Sequence, residues 1–372
     1  MYQPKTITGK ELIEGGAYPV YGANGVIGRY NQFNHEEPQL LITCRGATCG
    51  AVNVSAPKAC ITGNAMVVRP KNGAISLRFL EYLFRGGIDI SLAITGAAQP
   101  QITRTNLVPL EIAYPTSAAE QQRIVGILDE AFAAIATAKA NTEKNLTNAR
   151  AVFESHLQAV FTQRDAGHVE RILDEVCEGI TVGHVGSMAA RYQDNGVPFL
   201  RSQNIRPFRV SLENVVYIDE HFHRSLAKSS LKPGDVAIVR TGYPGTAAVI
   251  PETLPRSNCS DLVIARPGAD IDAHYLALFF NSDHGKRLVA GEVVGAAQKH
   301  FNVSAAKKVT ISLPSVAEQR RIVAKLNAFA AETQRLESLA QQKLTALDAL
   351  KKSLLHQAFT GQLTGLTASP QI

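Results

Sequence analysis

Two stretches of the chain combine residue types that can recognise a nucleic acid by direct contact. Arg201, Gln203, Asn204, Arg206 and Arg209 stand close together, interleaved with Phe199 and Phe208. Arginine bonds guanine edges, asparagine and glutamine bond adenine edges, and further donors suit phosphates. Arg240 with Tyr243, and the run Gln298, Lys299 and His300, extend the set in the same half of the chain. Corresponding places in the first half hold Tyr21, Asn24 and Arg29, then Arg45 with Thr48, then Gln99, Gln101 and Arg104. Each residue taken singly also fits a solvated surface group. Arg45 and Arg240, which close similar apolar runs, fit a shared structural role at least as well as base contact.

The residues for catalysis are not assembled in the same way. The sequence has no G-x-x-x-x-G-K-[ST] phosphate loop, no G-x-S-x-G elbow and no H-E-x-x-H pair. Gly22, Gly25 and Gly28 read as a turn rather than a nucleotide loop, because no nucleotide-binding strand precedes them. His221 and His223 flank Phe222 and read as a surface pair on a strand. The 5 cysteines include no C-x-x-C pair and read as reduced core thiols. No catalytic centre, metal or cofactor is expected in this chain. The formal net charge of +6 is compatible with a nucleic-acid partner without requiring one. The start of the chain lacks a signal peptide and no apolar run reaches the roughly 20 residues of a membrane span, so a cytoplasmic location away from membranes is expected.

The elements that would carry these residues occur twice. Gly96-Ala97-Ala98-Gln99 returns 199 residues later as Gly295-Ala296-Ala297-Gln298. Each copy leads to an apolar segment ending in Pro115 or Pro314, then to A-E-Q-x-R-I-V at 119–125 and 317–323. Upstream, L-L-I-T-C-R-G at 40–46 resembles V-A-I-V-R-T-G at 236–242, and residues 79–84 resemble 275–280 as a short helix. Matches in the same order at offsets of 196 to 199 residues are a repeat, not chance.

Ser117 and Ser315 are N-cap candidates with Glu120 and Glu318 three residues on, the spacing of a capping box. Beyond them Ile124, Leu128, Phe132 and Ile135, and in the second copy Ile322, Leu326 and Phe329, recur at threes and fours. Leu336, Leu339, Leu347, Leu350 and Leu354 continue the second stripe. Each helix should run for roughly 43 residues, on the order of 65 Å. A rod of that length needs a partner, and the other copy supplies one. The expected fold class is therefore α+β: two globular mixed α/β domains with two long antiparallel helices forming an intramolecular coiled coil of pseudo-two-fold symmetry. Two unlike heads on such a rod would act as a caliper for DNA half-sites, which recur every ~34–36 Å.

This order of motifs, closing on Phe359-Thr360-Gly361-Gln362-Leu363, resembles the specificity (S) subunits of type I restriction–modification systems. The resemblance implies target-recognition domains at 1–116 and 164–315, spacer helices at 117–163 and 316–360, and a tail at 361–372. It implies double-stranded DNA, two methyltransferase subunits and restriction/translocase subunits as partners. S-adenosylmethionine, ATP and magnesium would belong to those partner subunits. Glu120, Gln121 and Arg123, with Glu318, Gln319 and Arg321, become candidates for subunit docking. The family usually opens each recognition domain with a segment like V-E-R-I-L-D-E-V-C-E-G-I at 169–180. The first domain does not show it, because Met1 aligns near Thr181. Two other readings stay open: a silent or partial specificity cassette, and a coiled-coil adaptor with two protein-binding heads.

Overall fold

Short apolar runs separated by glycine and polar turns give strands, and the two striped segments give helices of 45 and 44 residues. A computed structural model describes the chain apart from residues 6, 8–10, 72, 163–166, 292–300 and 364–372. It forms two compact units, one of Met1–Glu143 with Ala340–Ile372 and one of Lys144–Leu339. The boundary cuts through both long helices instead of setting them apart as regions of their own.

The first unit begins with β1 (Tyr18–Gly22), β2 (Gly25–Tyr30), β3 (Leu40–Thr43), β4 (Val52–Val54), β5 (Cys60–Ile61) and β6 (Ala65–Val68). They make two three-stranded sheets, ordered β2-β1-β5 and β4-β3-β6. Helix α1 (Leu77–Tyr82), the hairpin β7 (Ile94–Thr95) and β8 (Gln101–Ile102), and α2 (Arg104–Leu107) precede the long helix α3 (Ala118–Thr162).

The second unit opens with β9 (Val169–Ile172), α4 (Leu173–Val176) and β10 (Cys177–Val182), then β11 (Val197–Leu200), β12 (Ile205–Arg206), β13 (Arg209–Val210) and β14 (Val216–Ile218). Next come α5 (Glu220–Ser225), β15 (Ser230–Leu231), β16 (Val236–Val239), β17 (Ala247–Val249), β18 (Ser257–Cys259) and β19 (Leu262–Pro267). Last are α6 (Ala273–Asn281), α7 (Asp283–Gly291), α8 (Val303–Lys308), β20 (Thr310–Leu313) and α9 (Val316–Phe359).

The repeat is visible in the pairing. β1 lies parallel to β5 and β11 parallel to β18, while β3 and β16 run antiparallel to β6 and β19. Thr103 caps α2 and Asn302 caps α8, at positions 199 residues apart. Ser117 Oγ accepts from the Glu120 amide at 3.4 Å and Ser315 Oγ from the Glu318 amide at 3.3 Å, so both expected caps form.

Among the described residues the strand pair β9–β20 has no counterpart in the first unit. β20 pairs with β9 along its whole length, and Leu173 and Val176 of α4 plug the core beside it. Residues 111–114, the counterparts of β20, form no strand, and Tyr114 is 37% exposed where Leu313 is 7%. Tyr2 bridges Val67 where Thr181 of β10 pairs with Ile264. Tyr2 thus occupies in the first unit the place of Thr181 in the second.

Each unit's main core takes the start of one long helix and the end of the other. In the first unit Ile124 and Leu128 of α3 join Leu355 and Ala358 of α9, and the Phe359 ring meets Phe79 edge-on at 5.4 Å. Gly87 is needed there, because a Cβ would stand 2.5 Å from the Phe359 ring. In the second unit Leu157 and Phe161 of α3 join Val323 and Leu326 of α9, with Phe161 against Tyr275 and Phe279. Within each unit the two helices run antiparallel. Lys351 lies over Phe132 and Lys139 pairs with Asp348 in the first. Arg150 pairs with Glu337 and His156 stacks on Phe329 in the second. Not all of the apolar stripe is covered: Leu336, Leu339 and Leu350 are 43%, 50% and 47% exposed.

His221 and His223 differ from their expected place. They sit on α5, not a strand, and His223 is 8% exposed with the Asn258 amide 3.3 Å from its Nδ1. All 5 cysteines are free, Cys44, Cys60 and Cys259 being buried. Burial pushes the Cys177 thiol up to about 12, with the nearby Asp174 adding to the effect.

Removing a helix end from its core should cost what a core truncation costs. Phe161→Ala should destabilise the protein by about 3–5 kcal/mol and Leu355→Ala by about 2–5 kcal/mol. Urea unfolding followed by circular dichroism reads this; losses below about 1 kcal/mol would mean the helix ends do not belong to the cores.

Candidate nucleic-acid interface

In the first unit three turns are tied to one another by backbone and side-chain hydrogen bonds. The Gly46 amide donates to Pro100 O at 3.1 Å and the Ile102 amide to Cys44 O at 2.8 Å, which docks the β7–β8 hairpin on the turn after β3. Arg45 bridges Gln101 directly. The hairpin needs its glycine: Gly96 has φ +87°, and a Cβ there would meet Gln99 O at 2.6 Å. The β1–β2 turn joins the group, since Thr43 Oγ1 donates to Ala23 O and Asn53 Nδ2 donates to Asn24 Oδ1 at 3.0 Å. Asn24, Arg45, Thr48, Gln99 and Gln101 are thereby gathered and exposed. Arg104 follows as the exposed first residue of α2. Asn53, on β4, was not singled out from sequence; its signal is one amide between two valines of a strand.

Two other first-unit candidates serve the fold. Tyr21 Oη accepts from the Ala56 amide at 2.9 Å. Arg29 donates to Gly16 O and, at 2.7 Å, to Ala17 O, so its guanidinium closes a loop.

In the second unit the β12–β13 hairpin sets Arg206 opposite Arg209. Phe208 turns it with φ +67°, donates its amide to Ala247 O at 3.1 Å beside β17, and meets the Phe153 ring of α3 edge-on at 6.0 Å. The hairpin is thus braced against sheet and helix while Gln203, Arg206 and Arg209 face outward. Tyr243, on the β16–β17 turn, is 83% exposed. Among the described residues Arg45, Arg104, Arg206 and Arg209 enter no ion pair, which leaves their charge available to an anionic partner. Gln298, Lys299 and His300 lie outside the described residues.

Three second-unit candidates are turned inward. Asn204 is fully buried: its Oδ1 accepts from the Arg201 amide at 3.0 Å, and its Nδ2 donates to Ser211 O and Glu213 O at 3.0 and 3.2 Å. Arg201 donates to Asn214 O at 2.7 Å and lies over the Tyr192 ring, 5.6 Å from its centroid. Arg240 donates to Asp261 Oδ1 at 2.9 Å and to Phe301 O at 3.2 Å, and Thr241 holds the other Asp261 oxygen at 2.8 Å. These groups shape the turn rather than reach beyond it.

Arg45 and Arg240 are also not equivalent. The Phe301 amide donates to Arg240 O where the Ile102 amide donates to Cys44 O, and the turn glycines Gly46 and Gly242 share φ values of +87° and +82°. Cys44 therefore occupies the place of Arg240, and Arg45 that of Thr241. A slip of one residue at a strand end exchanges an outward side chain for an inward one.

At the helix starts, Arg123 forks onto Glu120 at 3.0 and 3.1 Å, and Arg321 onto Glu318 at 2.7 and 2.6 Å. Both pairs stand at the surface. Gln121 and Gln319 do not: they are 2% and 0% exposed and bonded to backbone, so they present nothing to a docking partner.

A family model described as the type I restriction modification DNA specificity domain matches residues 3–148 and again 173–346. The chain is 23% identical over 177 residues to the type I restriction enzyme EcoBI specificity subunit of Escherichia coli, covering 46% of this chain and 36% of that one. It is 25% identical over 205 residues to the EcoKI specificity subunit of E. coli strain K12, covering 52% and 42%. The matched stretches thus span less than half of these relatives. Among solved structures, a chain from a study of complex assembly and conformational transition of the type I R-M system aligns with TM-score 0.72 and 18% identity, over 88% of this chain and 83% of that one. The HsdS subunit from Thermoanaerobacter tengcongensis aligns with TM-score 0.61 and 18% identity, over 89% and 82%. At these identities the likeness is one of fold.

The inward and outward groups should separate in the laboratory. Asn204→Ala should destabilise the protein by about 1–3 kcal/mol, because two carbonyls and an amide lose their partner. Arg206→Ala and Arg209→Ala should change stability by less than about 0.5 kcal/mol. Each should weaken binding to duplex DNA and reduce the slope of log K against log salt by about 1. Unaltered salt slopes in a filter-binding or anisotropy titration would remove the hairpin from the interface.

Proposed function

Because the chain belongs to the type I restriction–modification DNA specificity family, we propose that it is a non-catalytic specificity subunit that reads a two-part, asymmetric DNA target. The observation that supports this most is one scaffold built twice with unlike reading loops. Asn24, Arg45, Thr48, Gln99 and Gln101 would address one half-site, and Gln203, Arg206, Arg209 and Tyr243 the other. Phosphate contacts would hold the duplex in register while the amides and arginines choose bases. Sites that differ between the units give half-sites that differ, so the target is not palindromic.

The long helices would set the spacer and carry the catalytic partners. Exposed Leu336, Leu339 and Leu350 give α9 an apolar surface that a methyltransferase subunit could cover. The repeated Glu120–Arg123 and Glu318–Arg321 pairs mark matching surfaces in the two units, consistent with two such subunits. S-adenosylmethionine would be bound there, and ATP and magnesium by the restriction/translocase subunits, all in the cytoplasm where the DNA lies. Adenines near each half-site would be flipped from the stack by the methyltransferases, not by this chain.

Mapping methylated adenines genome-wide with and without the gene tests the class: a two-part motif of fixed spacer should vanish on deletion. Seven residues inserted into α3 between Ala138 and Asn148, with a matching insertion in α9, add about 10 Å of helix. The methylated motif should then keep both half-sites and gain about three base pairs of spacer. Changed half-sites would overturn the reading.

A further inference from the structure

Gln121 and Gln319 occupy the same place in the two copies of A-E-Q-x-R-I-V and make the same three bonds. Gln121 Oε1 accepts from the Ser76 amide at 2.9 Å, and its Nε2 donates to Ala74 O at 2.7 Å and Pro115 O at 2.9 Å. Gln319 Oε1 accepts from the Asp272 amide at 2.8 Å, and its Nε2 donates to Asp270 O and Pro314 O, both at 3.0 Å. Each side-chain amide therefore joins the first turn of a long helix to two other points. One is the proline that ends the segment before that helix. The other is the loop leading into α1 or α6.

The residues it grips are themselves caps. Ser76 accepts from the Phe79 amide to begin α1, and Asp272 accepts from the His274 and Tyr275 amides to begin α6. Those helices lie on the sheets that end in the reading turns: α1 on β3 and β4, α6 on β16 and β17. A path of direct contacts thus runs from each long helix through one amide to Arg45 and Thr48, or to Tyr243. Burial does not require an amide at this point, since Ile124 and Leu128, or Val323 and Leu326, already seat the helix start in the core. An amide with three fixed backbone partners adds direction, which apolar packing does not.

We propose that Gln121 and Gln319 are positioning residues that fix the angle between each long helix and the reading loops of its own unit, and so set how sharply one spacer length is preferred. This rests on the reading given under Proposed function. A helix start free to rock on its unit would let the loops meet half-sites a base pair nearer or farther, with the base contacts unchanged.

The test uses the full chain assembled with its methyltransferase subunits, and duplex oligonucleotides that differ only in spacer length or in one half-site base. Gln121→Met and Gln319→Met keep the volume and remove all three bonds. Each should raise methylation of targets with spacers one base pair long or short, relative to the native length, by about tenfold, equivalent to roughly 1.4 kcal/mol of discrimination. Half-site mutants should stay unmethylated. Gln319→Glu keeps the bond from the Asp272 amide but sets a carboxylate oxygen against two carbonyls, and should relax the spacer at least as much. A uniform fall at every spacer, or an unchanged spacer profile, would overturn the assignment. Loss of folded protein in the Met variants at both positions, read by circular dichroism, would also overturn it by giving the amides to stability alone. If the unaltered assembly showed no preferred spacer, the specificity reading itself would fail and this inference with it.

Discussion

The seating of helix ends in cores is the constraint from which the other features follow. A helix of more than forty residues has an apolar stripe too long for a small globule to cover. Here each unit closes on the first turns of one helix and the last turns of the other. Leu128 and Leu355 share one core; Leu157 and Leu326 share the other. Neither α3 nor α9 belongs to a single unit, and neither unit has a complete core without both. Close approach at these seats dictates local sequence as well, as Gly87 shows beneath Phe359.

Given that frame, the chain keeps the scaffold alike and lets the loops diverge. Parallel pairing of β1 with β5 and of β11 with β18, the caps of α2 and α8, and the two buried glutamines recur in register. The turns they carry do not. Arg240 reaches inward to Asp261, whereas Cys44 at the same place is simply buried. The second unit projects an arginine hairpin braced on Phe153, while the first gathers amides around its Gly96 turn. Divergence at the turns over shared sheet pairings is what reading two different sequences would require, because the backbone geometry that presents the readers can then stay the same.

The repeat, the serine caps, the helix lengths and the family were legible in the residues, because they rest on order and period. Side-chain direction was not. Asn204 stands between arginines in a basic stretch, yet its amide closes a turn through Ser211 and Glu213. Arg45 and Arg240 end similar apolar runs, but a one-residue offset puts them on opposite sides of the turn. Polar residues at strand ends serve the backbone or a ligand with the same chemistry, so composition cannot separate the two uses. Gln121 and Gln319 posed the same ambiguity in a surface-like E-Q-x-R context. Their burial depends on loops at 74–76 and 270–272, some fifty residues away in the chain. The exposure of Leu336, Leu339 and Leu350 was hidden for a related reason: heptad spacing shows an apolar face without showing how much of it a second helix covers.

The division of the helices also orders events during synthesis. The second unit is a continuous piece, Lys144–Leu339, and its whole core has been made before α9 is finished. The first unit starts earlier but waits for Leu355, Ala358 and Phe359. At a ribosomal rate of about 5–20 residues per second, the roughly 200 residues between Glu143 and Leu355 take on the order of 10–40 s. For that interval the side chains that Leu355, Ala358 and Phe359 cover in the finished unit would lack that cover. Of the two units, the one whose sheets lie earlier in the chain is thus the one whose core needs the later residues.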